Sequence, residues 1–430
     1  MVEKRKPIAV GEAVQRVMHY AFPAKKELVP LTQAYGRFIA EDIVTDQDIP
    51  AFDRSPYDGY AIRSIDSQEA SSEHPVRFQV VGEIGAGFVY EEDVGYRQAV
   101  RIMTGAPIPK GCDAVVMLEL TQTFEVNHQT YMSIKRSFAA GTNISYKGEE
   151  VRQGTTLITA GQYINPGVMA LLATFGYQQV PVFRKVTVGV IATGSELLEP
   201  EEALQPGKIR NSNAYMVMAQ IERAGAEVQY FGKLSDDLDL CIEIVGKALQ
   251  EVDILITTGG VSVGDYDYLP AIYQAIQADV LFNKVAMRPG SVTTVAARNG
   301  QLLFGLSGNP SACYVGFELF VRPIIRTAVG NQQPHLRREQ AVLGADFTKP
   351  NPFTRFVRAS AYYEEGQLFT VPSGFDKSSA VSSLAAANAF IMLPGGSRGY
   401  EKGRQVAVLL LEDLQGSEWP WDNIKKSSKS

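Results

Sequence analysis

The spacing of apolar residues changes along the chain and divides it into stretches of different character. Within residues 10 to 21, apolar side chains recur at helical spacing and predict a short amphipathic helix. The face of this helix that is predicted to be buried carries Val10, Val14, Val17 and Met18. From about residue 28 to 180, short β-rich runs are separated by glycine and proline turns, which predicts small sheets.

From about residue 181 to 330, strand patterns and helical patterns alternate. The predicted strands are KVTVGVIATG, EVQYFGKL and DILITTGG. The predicted helices are SNAYMVMAQIERAGA, capped by Ser212 or Asn213, then DDLDLCIEIVGKALQ, and one near residues 268 to 278. VLFNKVAM, a hairpin turned at Asn299-Gly300 and the helix SACYVGFELFVRPIIRTAV complete the stretch. Such alternation predicts βαβ units in a doubly wound, mostly parallel sheet.

Short strand patterns return after residue 330. The polar, proline-bearing run NQQPHLRR, residues 331 to 338, predicts a linker. It is followed by RFVRASAYY, QLFTVPS, NAFIMLP and RQVAVLLLE, which predict a small β-barrel or sandwich. The last residues, GSEWPWDNIKKSSKS, have the composition of a disordered tail.

Length and composition narrow the class of protein. A chain of 430 residues predicts two to four domains, and a net charge of -6 disfavours nucleic acid as the main partner. The 3 cysteines fit neither a disulfide framework nor a zinc motif, and the 4 scattered histidines make a His/Cys metal site a poor fit. The first residues lack an apolar signal core, and no apolar run is long enough to span a membrane. We therefore expect a cytoplasmic protein.

Three glycine-rich loops follow predicted strands: ATGSEL, TTGGVSVGDYDY and GLSGNPSA. In open α/β sheets, ligands bind outside the carboxyl ends of the strands, where glycine lets the backbone approach and loop N–H groups bind anions. None of the loops has the Lys-Ser/Thr of a P-loop or the G-x-G-x-x-G of a dinucleotide site. Each loop alone could be an ordinary strand-to-helix turn, but three in one domain favour a ligand site.

Four separated motifs give the chain a family resemblance. TTGGVSVGDYDY resembles the molybdopterin-binding signature of molybdenum-cofactor biosynthesis enzymes. FDRSPYDGYAIR resembles the S-x-M-D-G-Y-A box of the molybdopterin molybdenumtransferases, and VRIMTGAPIPKGCDAVVMLE resembles their threonine box. GLSGNPSA resembles their G-L-P-G-N-P loop. The resemblance runs from about residue 7 to 412 and extends to the C-terminal module of gephyrin.

The resemblance implies an activity and an assembly. Molybdate and adenylylated molybdopterin would react, with Mg²⁺, to give molybdenum-molybdopterin and AMP. The implied assembly is an elongated homodimer of four-domain subunits, with the partner subunit contributing to a cleft near the α/β domain. Molybdopterin adenylyltransferase and cofactor-accepting molybdoenzymes are the implied partners, without nucleic acid or membrane.

The implied domains fall into five segments. An N-terminal helical-β domain comprises residues 1–27 and 146–180, and a β-rich domain comprises 28–145. The molybdopterin-binding α/β domain comprises residues 181–330, a small C-terminal β-barrel 331–415, and the tail 416–430. The fold class is thus a multidomain α/β protein.

Site residues are implied by matching the family's boxes to this sequence. The implied catalytic residues are Asp58, Thr104, Glu150, Glu196, Asp236 and Asp267. The implied substrate-binding residues are Gly259, Gly260, Ser262, Lys284, Arg288, Ser291, Pro310, Arg358 and Ser378. The implied Mg²⁺ ligands are Glu196, Asp236 and Asp267. These residue types suit the chemistry, because a polyanionic substrate needs donors and cations, and metal-assisted cleavage of an anhydride needs carboxylates.

Several of these residues have plainer structural explanations. Asp267 could cap the following helix, and Glu196 could cap or solvate a turn. Lys284 and Arg288 could be ordinary surface charges, and Thr104 an ordinary turn residue.

The sequence also departs from the family pattern at four positions. The oxyanion loop usually reads K-P-G-K, and here Arg288 and Ser291 replace its two lysines. Ser307 replaces a proline in the neighbouring loop, and Glu150 stands where the family usually has aspartate. Loss of a lysine at position 291 predicts weaker binding of an oxyanion, unless the residue lies off the anion path.

Two other functions compete with molybdenum insertion. A molybdopterin adenylyltransferase uses a similar α/β domain, but it resembles a single domain without the SPYDGY box. A gephyrin-type scaffold protein would carry an additional domain and a long linker, which this sequence does not suggest.

Overall fold

The computed structural model describes residues 6–22, 25–234, 237–260, 268–350 and 352–411. The chain packs as two compact units. The first unit comprises Met1–Ala40, Gly161–Pro166 and Gln179–Ser430, and the second comprises Glu41–Ala160 and Gly167–Gln178. The finer five-segment division stays a proposal, and the segment 416–430, predicted as a disordered tail, lies outside the described residues.

A six-stranded sheet forms the centre of the first unit, as the alternating pattern predicts. In spatial order its strands are Glu227–Leu234, Thr187–Thr193, Ile254–Thr258, Gln301–Leu306, Thr294–Arg298 and Asp279–Phe282. The first four strands run parallel, and the last two are antiparallel to their neighbours. The hairpin predicted at Asn299-Gly300 is present, with both residues at positive φ (49° and 83°).

Helices cover both faces of this sheet, so it is doubly wound as predicted. One face packs against Ser212–Ala224, the helical segment 310–328 and Val10–Met18, and the other against Leu238–Glu251 and Leu269–Ala275. The predicted apolar positions decide these contacts: Val217 and Ile221 face the first core, and Cys241 and Val245 face the second. None of the helices within the described ranges is long and apolar enough to cross a membrane.

Two helix details differ from the sequence predictions. The cap of Ser212–Ala224 is Asn211, not Ser212 or Asn213, because the Asn211 carboxamide oxygen accepts the Ala214 N–H at 3.2 Å. The last helix is not continuous, since an α-helix Pro310–Gly316 is followed by a π-helical turn Phe317–Val321 and by Arg322–Ala328. Pro323 lacks the N–H that a regular α-helix would need at that point.

The C-terminal part of the first unit is a closed five-stranded barrel, so the barrel alternative is confirmed. Its strands pair in the cyclic order Thr354–Glu364, Gln367–Pro372, Arg337–Leu343, Gln405–Leu410 and Ala389–Leu393. The strand Arg337–Leu343 begins inside the run predicted as a linker, because Ala341 and Leu343 alternate into the barrel core. A short helix, Ser382–Ala385, precedes the strand Ala389–Leu393.

Short elements complete the first unit. Met287–Arg288 pairs in parallel with residues 354 and 355 of the barrel, so VLFNKVAM is not one strand. Lys26–Pro30 pairs with Gln179–Phe183, and Leu197–Leu198 pairs with Ile209–Arg210. A 3-10 turn occupies Leu31–Gln33.

The second unit is β-rich, as predicted for this part of the chain. The order of its six-stranded sheet is Ala114–Met117, Gly59–Ile62, Gln98–Ile102, Val76–Ile84, Gln129–Ile134 and Thr121–Val126. Ile43–Val44 and Thr156–Ile158 form a separate pair. Two 3-10 turns, Ser64–Ser67 and Leu118–Leu120, and most of the helix Pro166–Thr174 complete it.

Candidate active site

A cavity of about 1100 Å³ opens at the carboxyl edge of the parallel strands in the first unit. Thr193, Thr258 and Ser307, at or next to the ends of three adjacent strands, contribute to its wall. Ser379 and Val381 of the barrel also line it. The cavity therefore lies where ligands bind in open α/β sheets.

The three glycine-rich loops meet at this cavity. The Gly259 N–H donates to the Leu306 carbonyl at 2.9 Å, which joins the second loop to the third. A Cβ on Gly259 would lie 2.6 Å from the Thr193 carbonyl oxygen, and its φ is +92°, so glycine is required for the first and second loops to pack together. Gly260 and Pro310, which the sequence assigns to substrate binding, line the same cavity.

Glu196 lies in the loop of residues 194–211, which connects the strand Thr187–Thr193 to the helix Ser212–Ala224. Leu197–Leu198 pairs with Ile209–Arg210, and the Lys208 ammonium donates to the Ser195 carbonyl at 2.6 Å. These bonds join the two ends of the loop to each other. The Glu196 carboxylate is exposed and lines the cavity, so the structure places this predicted acid where it can meet a ligand.

A network of side-chain hydrogen bonds connects this loop to the helix Ser212–Ala224 and the strand Glu227–Leu234. The Tyr230 hydroxyl donates to Glu199 at 2.9 Å and accepts from the Asn211 amide at 2.9 Å. Tyr215 donates to the other Glu199 oxygen at 3.1 Å. Burial, and then the bond to Glu199, raises the pKa of Tyr230, so its proton stays in place at neutral pH.

The barrel reaches the cavity through residues 378–381. The Ser311 N–H donates to the Ser378 carbonyl at 3.0 Å, and the Ser311 hydroxyl donates to the Ala380 carbonyl at 2.6 Å. Ser311 is completely buried, so both bonds are shielded from water. Ser378, a predicted substrate residue, is thereby held beside two barrel residues that line the cavity, Ser379 and Val381.

Arg358 is buried in the barrel beneath this segment, with 1% of its surface exposed. Its Nε donates to the Ser383 hydroxyl at 2.9 Å, and one terminal nitrogen donates to the carbonyls of Phe375 and Lys377 at 3.0 and 3.3 Å. Asp376 lies 3.6 Å from the same nitrogen. The structure therefore shows Arg358 holding the segment that leads to Ser378, a role that the sequence did not suggest.

The residues predicted to bind the oxyanion, Lys284, Arg288 and Ser291, lie in or next to the short strand Met287–Arg288. Arg288 is exposed, whereas Lys284 and Ser291 are partly buried. The Ser291 carbonyl accepts the Val285 N–H at 2.8 Å and closes the loop between them. Val292, the neighbour of Ser291, lines the cavity, so the loop adjoins its wall.

In the second unit, Asp58 and Thr104 form a hydrogen-bonded pair. The Thr104 N–H and hydroxyl donate to the same Asp58 oxygen at 2.7 and 2.9 Å. Gly59 starts the following strand, where a Cβ would lie 2.1 Å from the Val116 carbonyl oxygen. The bonds from Thr104, with the backbone bond the largest cause, lower the pKa of Asp58. The Asp58 and Thr104 motifs, which are far apart in the sequence, thus meet in the fold, where Thr104 stabilises the ionised Asp58 carboxylate.

Thr104→Val should raise the pKa of Asp58 part of the way towards its ordinary value. The hydroxyl donor is lost, but the backbone N–H remains, and both bonds favour the ionised carboxylate. In the wild type the carboxylate stays charged as the pH falls, until the lowered pKa is reached. NMR titration of the Asp58 carboxyl carbon checks this prediction, and an unchanged pKa in the variant would contradict it.

Glu150 is exposed in the second unit, and its N–H donates to the Ile49 carbonyl at 3.0 Å. Its neighbour Glu149 is used locally, since it accepts the Tyr146 N–H at 2.8 Å and the Ser145 hydroxyl. These bonds, with that of Ser145 the larger cause, lower the pKa of Glu149. The predicted role of Glu150 stays a prediction.

Three predicted site residues, Asp236, Ser262 and Asp267, lie outside the described residues. Two of them are predicted Mg²⁺ ligands. Within the described ranges, no three His, Cys, Asp or Glu side chains come together as a metal would require. Glu196 alone does not complete a magnesium site.

Asn213 and Thr258 line the cavity but are absent from the residues that the sequence nominates. A threonine at the end of a buried strand and an asparagine in the first turn of a helix have ordinary structural uses. The sequence signal that could have identified Thr258 is its place within the second glycine-rich loop; Asn213 carries no comparable signal. The Asn213 amide donates to the Gly308 carbonyl at 2.9 Å, which joins its helix to the third loop.

Family models match almost the whole chain in three consecutive segments. Residues 8–176 match the MoeA N-terminal region (domain I and II), and residues 189–327 match a probable molybdopterin binding domain. Residues 340–411 match the MoeA C-terminal region (domain IV). The three matched segments correspond, in chain order, to the β-rich part, the α/β part and the barrel of the fold.

Curated relatives and solved structures resemble the chain along its length. It is 62% identical over 429 residues to a molybdopterin molybdenumtransferase of Bacillus subtilis, covering 100% of both chains. It is 53% identical to one of Staphylococcus aureus over 97% of this chain and 99% of the relative. A molybdopterin biosynthesis MoeA protein from Pyrococcus horikoshii superposes with a TM-score of 0.82 at 30% identity, covering 95% of this chain and 100% of the other.

Proposed function

The chain belongs to the molybdopterin molybdenumtransferase family, and we propose that it inserts molybdenum from molybdate into adenylylated molybdopterin with release of AMP. The observation that carries this proposal is the cavity where the described parts of three glycine-rich loops meet the barrel segment. Full-length identity favours it over an adenylyltransferase or a gephyrin-type scaffold.

The described residues can bind and orient a large substrate. Ser195, Ser307 and Asn309 bring polar groups to the cavity wall, which suits a ligand rich in phosphate and heterocyclic nitrogen. Arg210 brings a positive charge to the same wall. The barrel segment, held by Ser311, closes one side of the cavity. Such fixed donors favour catalysis because they do not reorganise as the anhydride is cleaved.

We further propose Mg²⁺ as cofactor, with Glu196, Asp236 and Asp267 as its ligands. The ion would neutralise charge on the phosphoanhydride. Asp58, Thr104 and Glu150 are proposed catalytic residues, and Lys284, Arg288 and Ser378 proposed substrate contacts. A homodimer, a cytoplasmic location, and partnership with molybdopterin adenylyltransferase and cofactor-accepting molybdoenzymes also belong to the proposal.

Incubation with adenylylated molybdopterin, molybdate and Mg²⁺, with AMP followed over time, tests the proposed function. We expect AMP release that depends on molybdate. An adenylyltransferase would instead consume ATP with molybdopterin, and a scaffold would catalyse neither reaction. Absence of AMP release from the intact protein would contradict the proposal.

Ser291→Lys should lower the molybdate concentration needed for half-maximal AMP release, by about threefold to tenfold. The new ammonium supplies a charge-assisted hydrogen bond to an anion, and such bonds are roughly twice as strong as neutral ones. The gain should shrink as ionic strength rises. Ser291→Gln is the matched control for side-chain length. An unchanged molybdate dependence at low salt would place residue 291 off the anion path.

A further inference from the structure

Every backbone carbonyl from residue 194 to residue 198, on both sides of Glu196, accepts a hydrogen bond. The distances lie between 2.6 and 3.2 Å, and the donors are the N–H groups of Leu197, Ile209 and Asn211 and the ammonium groups of Lys208 and Lys233. Four of these donors belong to the loop of residues 194–211 itself. Lys233 alone among the five comes from outside the loop, so it connects the backbone around Glu196 to another element.

The Glu196 carboxylate folds back over the end of the strand Thr187–Thr193. A Cβ on Gly194, the residue after this strand, would lie 2.5 Å from Glu196 Oε2, and the φ of Gly194 is +137°. A glycine at position 194 therefore lets the carboxylate take this place beside the cavity. Since this place is set by the path of the backbone, a bond that holds the backbone next to Glu196 also orients the carboxylate.

Lys233 makes two hydrogen bonds to the loop. Its ammonium donates to the Leu197 carbonyl at 3.0 Å and to the Glu202 carboxylate at 3.1 Å. Glu202 in turn accepts the Glu199 N–H at 2.5 Å and donates its own N–H to the Glu199 carbonyl at 3.0 Å. One cation thus holds the loop both at the residue after Glu196 and at the turn that follows.

A β-bulge turns the Lys233 side chain towards the loop. The strand Glu227–Leu234 has one residue more than its neighbour in the sheet at this point, and Gly232, within the bulge, has a φ of +81°. Tyr230 packs with the first core and Phe231 with the second, so regular alternation would put Lys233 on the side of Phe231. The extra residue reverses the alternation and puts Lys233 on the side of Tyr230, which also binds the loop.

We propose that Lys233 is a positioning residue for Glu196, and that its bond to the Leu197 carbonyl sets the direction of the Glu196 carboxylate in the cavity. The inference rests on the proposed function, in which Glu196 acts on the substrate. Lys233 itself does not contact the substrate in this proposal. It acts through the backbone of the loop, with Glu202 as the carboxylate that orients its ammonium.

Lys233→Met removes the ammonium and keeps much of the side-chain length. It should lower kcat for AMP release about fivefold to tenfold and leave KM for adenylylated molybdopterin within about twofold, because the substrate still binds while the carboxylate is no longer held in one orientation. Lys233→Arg should recover most of kcat, since a guanidinium can donate to both oxygens. Lys247→Met is the matched control, because the exposed Lys247 pairs with Glu243 on the surface of its helix; its kcat should equal that of the wild type.

Two further measurements separate positioning from general stabilisation. If Lys233 acts through Glu196, Lys233→Met should change kcat by less than about twofold in a Glu196→Gln background. Hydrogen exchange of the ligand-free protein needs no turnover. The Ile209 N–H donates to the Glu196 carbonyl, and it should exchange about tenfold faster in Lys233→Met but at the wild-type rate in Lys247→Met.

The outcomes distinguish this inference from the proposed function. Equal losses of kcat in the two backgrounds at position 196, or an unchanged exchange rate of the Ile209 N–H in Lys233→Met, would overturn the inference. A wild type that releases no AMP, together with the expected exchange rates, would support the positioning of Glu196 and contradict only the proposed function. Melting temperatures of all variants confirm that each is folded.

Discussion

Asp267→Asn should lower the rate of AMP release by about 100-fold or more, with the fold intact. Asparagine keeps the size of the side chain and removes the negative charge that a metal ligand beside a phosphoanhydride must supply. The residues on both sides of this segment, Gly260 and Tyr268, line the cavity. Single-turnover AMP release at increasing Mg²⁺ measures the effect.

Asp265→Asn is the matched control for this variant, because Asp265 stands two residues earlier in the same segment and is not among the implied ligands. We expect its rate to remain within a few-fold of wild type. Near-wild-type turnover of the Asp267 variant at saturating Mg²⁺ would remove Asp267 from the proposed site, as would equal losses in both variants.

Glu318→Gln should lower the free energy of unfolding by about 1 to 2 kcal/mol, because Arg223 and Arg322 lose a charged partner, while burial, which raises the pKa of Glu318, offsets part of that loss. Glu318 is 1% exposed. It accepts from Gln220 at 2.7 Å and from Arg223, and its second oxygen lies 3.4 Å from Arg322 Nε. It thus connects the helix Ser212–Ala224 to the helical segment 310–328, and the amino ends of both line the cavity.

Glu222→Gln is the control, because Glu222 lies on the same helix and is exposed. It should change stability by less than about 0.5 kcal/mol. Urea denaturation measures both variants, and AMP release should fall in the Glu318 variant as the two helix ends lose their alignment. A loss below about 0.5 kcal/mol for Glu318→Gln would show that the cost of burying the charge cancels the stabilisation from its ion pairs.

Local periodicity explains why most of the fold could be predicted. The helix Leu238–Glu251 buries residues at helical spacing, and the strand Ile254–Thr258 is a short run buried on both faces, which is typical of a central parallel strand. The π-helical turn Phe317–Val321 could not be predicted that way, because all five of its residues, the charged Glu318 included, are buried and leave no amphipathic pattern. The strand Arg337–Leu343 was hidden by its polar, exposed first residues.

The candidate site also has features that could be predicted from the sequence and features that could not. Glycine-rich loops could be recognised because Gly259 has a steric requirement that only glycine meets. The use of Arg358 could not be read from its sequence position, since its partners are backbone carbonyls 17 and 19 residues away. Asn213 and Thr258 were missed for another reason. They reach the cavity wall only through the tertiary packing of the helix and the strand that carry them.

The parallel pairing of Met287–Arg288 with barrel residues 354 and 355 has a consequence for recombining this protein with its relatives. A chimera joined at residues 331–336 would receive a foreign barrel and retain its own strand from the α/β domain. Ser311 would then donate to the carbonyls of a foreign segment at 378 and 380. A working exchange must therefore carry residues 284–291 and 311 together with the barrel, although they precede it in the chain.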